Sequence, residues 1–113
     1  MEAYLDNSAT TKPCKRACEA ALRTMENDFG NPSSLHKKGF DAMQILESSR
    51  GVIAKSLGVD PERIFFTPSG TVANNTAIFG AVELMKRKGN KIVTTAFEHP
   101  SVARCMDKLA GAH

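Results

Sequence analysis

No stretch of the 113-residue sequence approaches the apolar length that a membrane-crossing helix needs. A secretory start is missing too: the opening Met1-Glu2-Ala3-Tyr4-Leu5-Asp6 carries two acids, with neither a basic n-region nor an apolar h-region. The expectation is a cytoplasmic protein, in which the Asn74-Asn75-Thr76 sequon has no glycosylating compartment to meet. Cysteines number three, and the odd count speaks against a secreted disulfide framework and suits a reducing environment. Cys14 and Cys18 lie four apart on a predicted helix, yet no nearby Cys or His completes a four-ligand set, so no metal is expected. Charge of one sign is nowhere massed: 15 Lys and Arg against 12 Asp and Glu give a net +3 spread along the chain, which offers nucleic acid little to hold. The local run Lys86-Arg87-Lys88 precedes Gly89 at a predicted helix end, where cations complement exposed carbonyls. Internal repeats and low-complexity segments are also absent.

What remains is the composition of an ordinary globular protein, 42% apolar and 24% charged, at a length that allows one domain at most. Ala3-Tyr4-Leu5 reads as a short extended piece leading into the turn formers Asp6-Asn7-Ser8. Thr11 and Pro13 predict a helix start, and Ala17, Ala21, Leu22 and Met25 recur at helical spacing until Phe29-Gly30. A second loop, Gly30-Asn31-Pro32-Ser33-Ser34, leads through Leu35, His36 and Gly39 into a longer helix striped by Phe40, Met43, Leu46, Ile53 and Leu57. Gly51 weakens that helix by roughly 1 kcal/mol relative to Ala, and Gly58 ends it as a left-handed cap. Ile64-Phe65-Phe66-Thr67 predicts a strand buried on both faces, followed by Pro68-Ser69-Gly70-Thr71 and a helix to about Lys88 with Ala73, Ala77, Ala81 and Leu84 on one face. Ile92-Val93-Thr94-Thr95-Ala96 predicts a second buried strand, and Glu98-His99-Pro100 opens a last helix to about Ala110. Strand, helix, strand, helix is the order of an α/β fold with parallel pairing.

Two places could carry chemistry. Ser69-Gly70-Thr71 would set free backbone N–H groups and hydroxyls at a helix N-terminus, where a phosphate fits; the plain alternative is an ordinary helix cap. His99 follows one predicted strand and starts a helix, at the strand end where open parallel sheets bind ligands; the alternative is a histidine that caps its own helix. If the two strands are parallel, both positions open on the same edge and one ligand could touch both.

Four spaced motifs carry a family resemblance: Tyr4-Leu5-Asp6-Asn7-Ser8-Ala9-Thr10-Thr11, then Gly30-Asn31-Pro32-Ser33-Ser34-Leu35-His36, then Phe66-Thr67 with Gly70-Thr71 and Asn74, then Glu98-His99. In this order they resemble the N-terminal motifs of cysteine desulfurases, class V relatives within the fold-type I enzymes that depend on pyridoxal 5'-phosphate (PLP). The resemblance covers essentially the whole chain. It implies an α/β fold, the N-terminal segment and start of a large PLP-binding domain built on a mostly parallel sheet with flanking helices, without the rest of that domain or the C-terminal small domain. By the same resemblance Gly70 and Thr71 hold the cofactor phosphate, and His99 stacks on the pyridine ring and relays protons. Asn7, Ala9, Thr10 and His36 would line the substrate side. The implied reaction takes sulfur from L-cysteine, giving L-alanine and an enzyme persulfide for Fe–S cluster assembly or another transfer pathway, with a sulfur acceptor or scaffold protein as partner and a homodimer as the full-length state.

The pattern also departs from the family. Its usual turn, Thr-Ser-Gly-(Ala or Gly)-Thr-Glu-Ser-Asn, is altered here by Pro68, Ser69, Val72 and Ala73, and the missing Glu at Val72 suggests a subgroup with another sulfur or amino-acid substrate. No Lys matches the Schiff-base Lys, and none of Cys14, Cys18 and Cys105 matches the persulfide position, which the family places later in the chain. The expectation is a cut N-terminal piece, inactive by itself. Other readings are a selenocysteine lyase or a small-substrate aminotransferase of class V, and, from a different class, a non-catalytic module that needs a partner chain.

Overall fold

The structure, a computed structural model, describes residues 3–111. The chain divides into two compact units, Met1–Ile64 and Phe65–His113.

The first unit contains α1 (Lys15–Asn27), α2 (Lys37–Leu57) and a 3-10 turn at Pro61–Arg63. Helix α1 starts later than the sequence predicts: Cys14 is its N-cap and supplies no side-chain bond, while the Thr11 hydroxyl donates to Asn7 O at 3.2 Å. Every residue of α1 is exposed, including Leu22 and Met25 of its apolar stripe. The start of α2 is fixed by close backbone approach. A Cβ on Gly39 would lie 2.8 Å from both Asn31 O and Ser34 Cβ, and one on Gly30 would strike the Lys38 carbonyl. Only hydrogen fits at either position, which is why the loop between them can fold tightly over the helix. Lys38 ties this corner to α1, donating to Asn27 O at 2.7 Å with its ammonium 5.4 Å from the centre of the Phe29 ring. The far end of α2 stops at Gly58, whose φ of 66° is left-handed, as predicted. Arg50 then joins α2 to the turn, donating through Nη1 to Ile64 O and through Nε to Glu47 Oε1 at 3.3 Å.

The face of α2 that is buried differs from the predicted stripe. Gly39, Ala42 and Ala54 are buried, whereas Phe40 and Leu57 stay exposed, because small residues let the backbone and the 3-10 turn approach where large ones would hold them off.

The second unit is a helix pair, α3 (Gly70–Met85) and α4 (Pro100–Ala110). Helix α3 ends earlier than predicted, and Lys86 to Lys88 form a turn in which Lys88 N–H donates to Met85 O at 2.7 Å. Its shielded positions are Ala73, Asn75, Ile78, Phe79 and Val82, in place of the predicted row Ala73, Ala77, Ala81 and Leu84. Opposite them, α4 buries Ser101 and Cys105 one turn apart. Asn74 meets Ser101, Asn75 meets Cys105, and Lys108 lies over the Phe79 ring at 5.7 Å, so the residue numbers rise together and the helices run in the same sense.

The expected parallel sheet does not form among the described residues. Both predicted strands, 64–67 and 92–96, lack a ladder, and Phe65, Ile92 and Val93 are exposed where burial on both faces was expected. Ile64 has extended angles, φ −97° and ψ 120°, so its local preference is that of a strand, but its N–H is committed to Pro61 O at 3.0 Å in the 3-10 turn. Short apolar segments become strands only when a neighbour takes up their backbone groups, and two alone make a marginal sheet. No helix among the described residues is long and apolar enough to cross a membrane.

Candidate functional site

Ser69 caps α3 in an extended conformation and its hydroxyl oxygen accepts the Val72 N–H at 3.3 Å. The approach to this cap is held by Thr67, whose hydroxyl donates to Ser69 O at 3.0 Å. The Gly70 and Thr71 N–H groups open the helix, with no carbonyl four residues back to receive them within it. A Cβ added at Gly70 would meet nothing within 4 Å beyond its own turn, so no other part of the chain crowds that position. Exposed N–H groups, the Thr71 hydroxyl and open space make a setting that a phosphate group fits. Pro68 removes one donor ahead of the cap and leaves those of Gly70 and Thr71 untouched.

His99 sits at the matching position of α4. Its Nδ1 accepts the Ser101 N–H at 3.1 Å and lies 2.8 Å from Ser101 Oγ, so the ring is the N-cap of its own helix. Ser101 is buried at 8% exposure, and its Oγ is also 2.9 Å from Asn74 Nδ2, one turn into α3. The chain Asn74, Ser101, His99 therefore brings the histidine to the end of the helix pair where Gly70 and Thr71 lie. The sequence places both positions on one edge through parallel strands; the structure places them at the same end of two parallel helices.

The remaining candidates lie in the first unit. Asn7 and Ala9 occupy a turn closed by Ala9 N–H to Asp6 O at 3.3 Å, and the Thr10 N–H reaches the same carbonyl at 3.4 Å. Tyr4 braces it, its hydroxyl lying 2.9 Å from Asp6 O and 3.1 Å from Thr10 O. His36 caps α2 as His99 caps α4, with Nδ1 accepting the Gly39 N–H at 3.3 Å. Asn7, Ala9, Thr10 and His36 are all exposed. A shallow recess of about 200 Å³ beside His36 is lined by Pro32, Ser33, Ser34, Leu35, Phe40 and Met43.

Ser101, Asn75 and Cys105 escape the sequence reading, in which Asn75 counts only as part of an empty sequon and Ser101 has no role. The signal that marks them is the spacing of Ser101 and Cys105, small weakly polar residues one turn apart on an otherwise apolar helix face.

Known proteins resemble this chain along nearly its whole length. A NifS/IcsS protein homolog of Lactobacillus delbrueckii subsp. bulgaricus is 45% identical over 106 residues, covering 94% of this chain and 28% of that protein. The cysteine desulfurase IscS of Dictyoglomus turgidum is 41% identical over 101 residues, covering 89% of this chain and 26% of that protein. Among solved structures, a NifS-like protein superimposes with a TM-score of 0.90 at 35% identity, over 99% of this chain and 31% of that one. The chain thus spans between a quarter and a third of the length of these relatives. Residues 3–113 match the family described as aminotransferase class-V, whose cysteine desulfurase members are PLP-dependent enzymes, and the chain belongs to that family.

Proposed function

We propose that the chain is part of a PLP-dependent cysteine desulfurase, which removes sulfur from L-cysteine to give L-alanine and an enzyme persulfide for Fe–S cluster assembly or another sulfur-transfer route. The observation that carries this reading is the meeting, within one helix pair, of an open phosphate-type turn at Gly70 and Thr71 with His99, through Asn74 and Ser101.

In this reading the Gly70 and Thr71 N–H groups and the Thr71 hydroxyl bind the cofactor phosphate, and Ser69 keeps the turn in shape by capping α3. His99 would lie against the cofactor ring, with Nε2 the nitrogen left to exchange a proton, since Nδ1 is engaged by Ser101. When bound, the cofactor supplies the electron sink for bond cleavage in the substrate. Asn7, Ala9, Thr10 and His36 are assigned to the substrate side. The lysine that anchors such a cofactor and the cysteine that receives sulfur match no position in residues 1–113, so we expect these residues alone to be inactive. The active protein in this reading is a cytoplasmic homodimer that passes sulfur to an acceptor or scaffold protein.

The test is to supply the complete gene product with PLP and to measure alanine and sulfide formed from L-cysteine, with L-selenocysteine as competitor. Alanine from cysteine that is lost in His99→Ala supports the reading. Turnover of selenocysteine alone would replace it with a selenocysteine lyase, and amino-group transfer to a keto acid with an aminotransferase.

A further inference from the structure

The direction of every hydrogen bond around His99 follows from one donor that cannot reverse. The Ser101 backbone N–H points at His99 Nδ1 at 3.1 Å, so Nδ1 is an acceptor and the proton of the neutral ring sits on Nε2. Ser101 Oγ, 2.8 Å from the same nitrogen, must then give its own proton to Nδ1. That leaves the oxygen's lone pairs to accept, and Asn74 Nδ2 donates to them at 2.9 Å. The hydroxyl is held in place by these two contacts, since Ser101 is buried at the face between α3 and α4.

We propose that Asn74 and Ser101 are positioning residues which fix the tautomer and orientation of His99, so that Nε2–H, and not Nδ1–H, faces the ligand bound at the Gly70–Thr71 turn. The ligand-facing part of this statement rests on the desulfurase reading; the tautomer itself does not. The Nδ1–H form is unfavourable because it would set a ring N–H against the Ser101 backbone N–H, and because the Ser101 hydroxyl, its contact with the ring reversed, would have to find another acceptor for its own proton. His36 offers an internal contrast: its Nδ1 accepts one backbone N–H, from Gly39 at 3.3 Å.

The experiment is a long-range nitrogen–proton NMR spectrum of the full chain labelled at histidine, with His99 assigned by its loss in His99→Gln. The wild-type ring is expected as the Nε2–H tautomer. Ser101→Ala should raise the ratio of Nδ1–H to Nε2–H roughly fivefold, the size of one net hydrogen bond. Asn74→Ala should raise it by less, and Ser101→Thr, which keeps the hydroxyl, should restore it. A folded Ser101→Ala protein with an unchanged ratio overturns the proposal. So does a wild-type His99 in the Nδ1–H form, a result that decides the matter even where a variant fails to fold. None of these readings needs the cofactor, so an enzyme that proves not to use PLP would remove the desulfurase reading and leave the tautomer result standing.

Discussion

Cys105 Sγ donates to Asn75 Oδ1 at 2.6 Å across the contact between α3 and α4. The thiol is 3% exposed and belongs to the face that joins the two helices. Cys105→Ala removes both the bond and the sulfur's packing, and should destabilise the helix pair by about 1–2 kcal/mol in urea unfolding. Cys105→Ser keeps a donor of similar size and should recover part of that loss.

Thiol accessibility follows from the same burial. Cys14 and Cys18 are exposed and Cys105 is buried. A disulfide reagent added to the native chain should label Cys14 and Cys18 rapidly and Cys105 only as the helix pair opens, so low urea should accelerate the slow phase alone.

Two glycines of α2 should respond in opposite directions. Gly39→Ala pushes a methyl group into the Asn31 carbonyl and Ser34, and overpacking of that kind costs about 1–3 kcal/mol. Gly51→Ala meets nothing within 4 Å in mid-helix and should stabilise the chain by roughly 0.5–1 kcal/mol. Thermal melts followed by far-ultraviolet dichroism compare them directly, and equal shifts would contradict the packing described for the 30–36 loop.

Ser69 separates capping from phosphate binding. Ser69→Ala loses the oxygen that accepts the Val72 N–H, and should cost about 1 kcal/mol of stability. Ser69→Asp keeps an acceptor there but puts a carboxylate beside the proposed phosphate position. It should melt close to wild type while weakening PLP binding by about tenfold at low salt, the order of one like-charge contact near a surface. Titration with PLP and with inorganic phosphate should show the same loss.

The helices were legible because each carries its own local signals. Gly58 has no Cβ to resist φ of 66°, and Ser69 and His99 stand where caps are needed, so those boundaries could be read from single residues. The buried faces were less legible. In α2 a stripe of large apolar residues competes with Gly39, Ala42 and Ala54, and close approach selects the small ones, a choice that depends on the neighbour and not on the period. The strands were least legible, since the pattern of Ile64 to Thr67 and Ile92 to Ala96 records a preference whose fulfilment depends on a partner ladder. At the site, Gly70, Thr71 and His99 could be found by chemistry and motif, whereas Ser101 could not. Its place comes from where α4 packs, and the only local sign of it is its spacing from Cys105, one turn on.

The shared sense of α3 and α4 has an electrostatic consequence. Each helix start carries about half a positive elementary charge from its aligned peptide dipoles, and here the two starts lie together, so their fields add where an antiparallel pair would cancel them. No acidic side chain stands in the first turn of either helix, and the nearby Glu98 carboxylate is hydrogen-bonded to the Thr95 hydroxyl at 2.6 Å. Like partial charges thus face each other at this end, offset in part by the Glu98 carboxylate, and an anion bound as proposed between Gly70 and His99 would offset them further. In the proposed function anion capture would be linked to the cohesion of the helix pair, and salt, which screens the attraction, should weaken the capture.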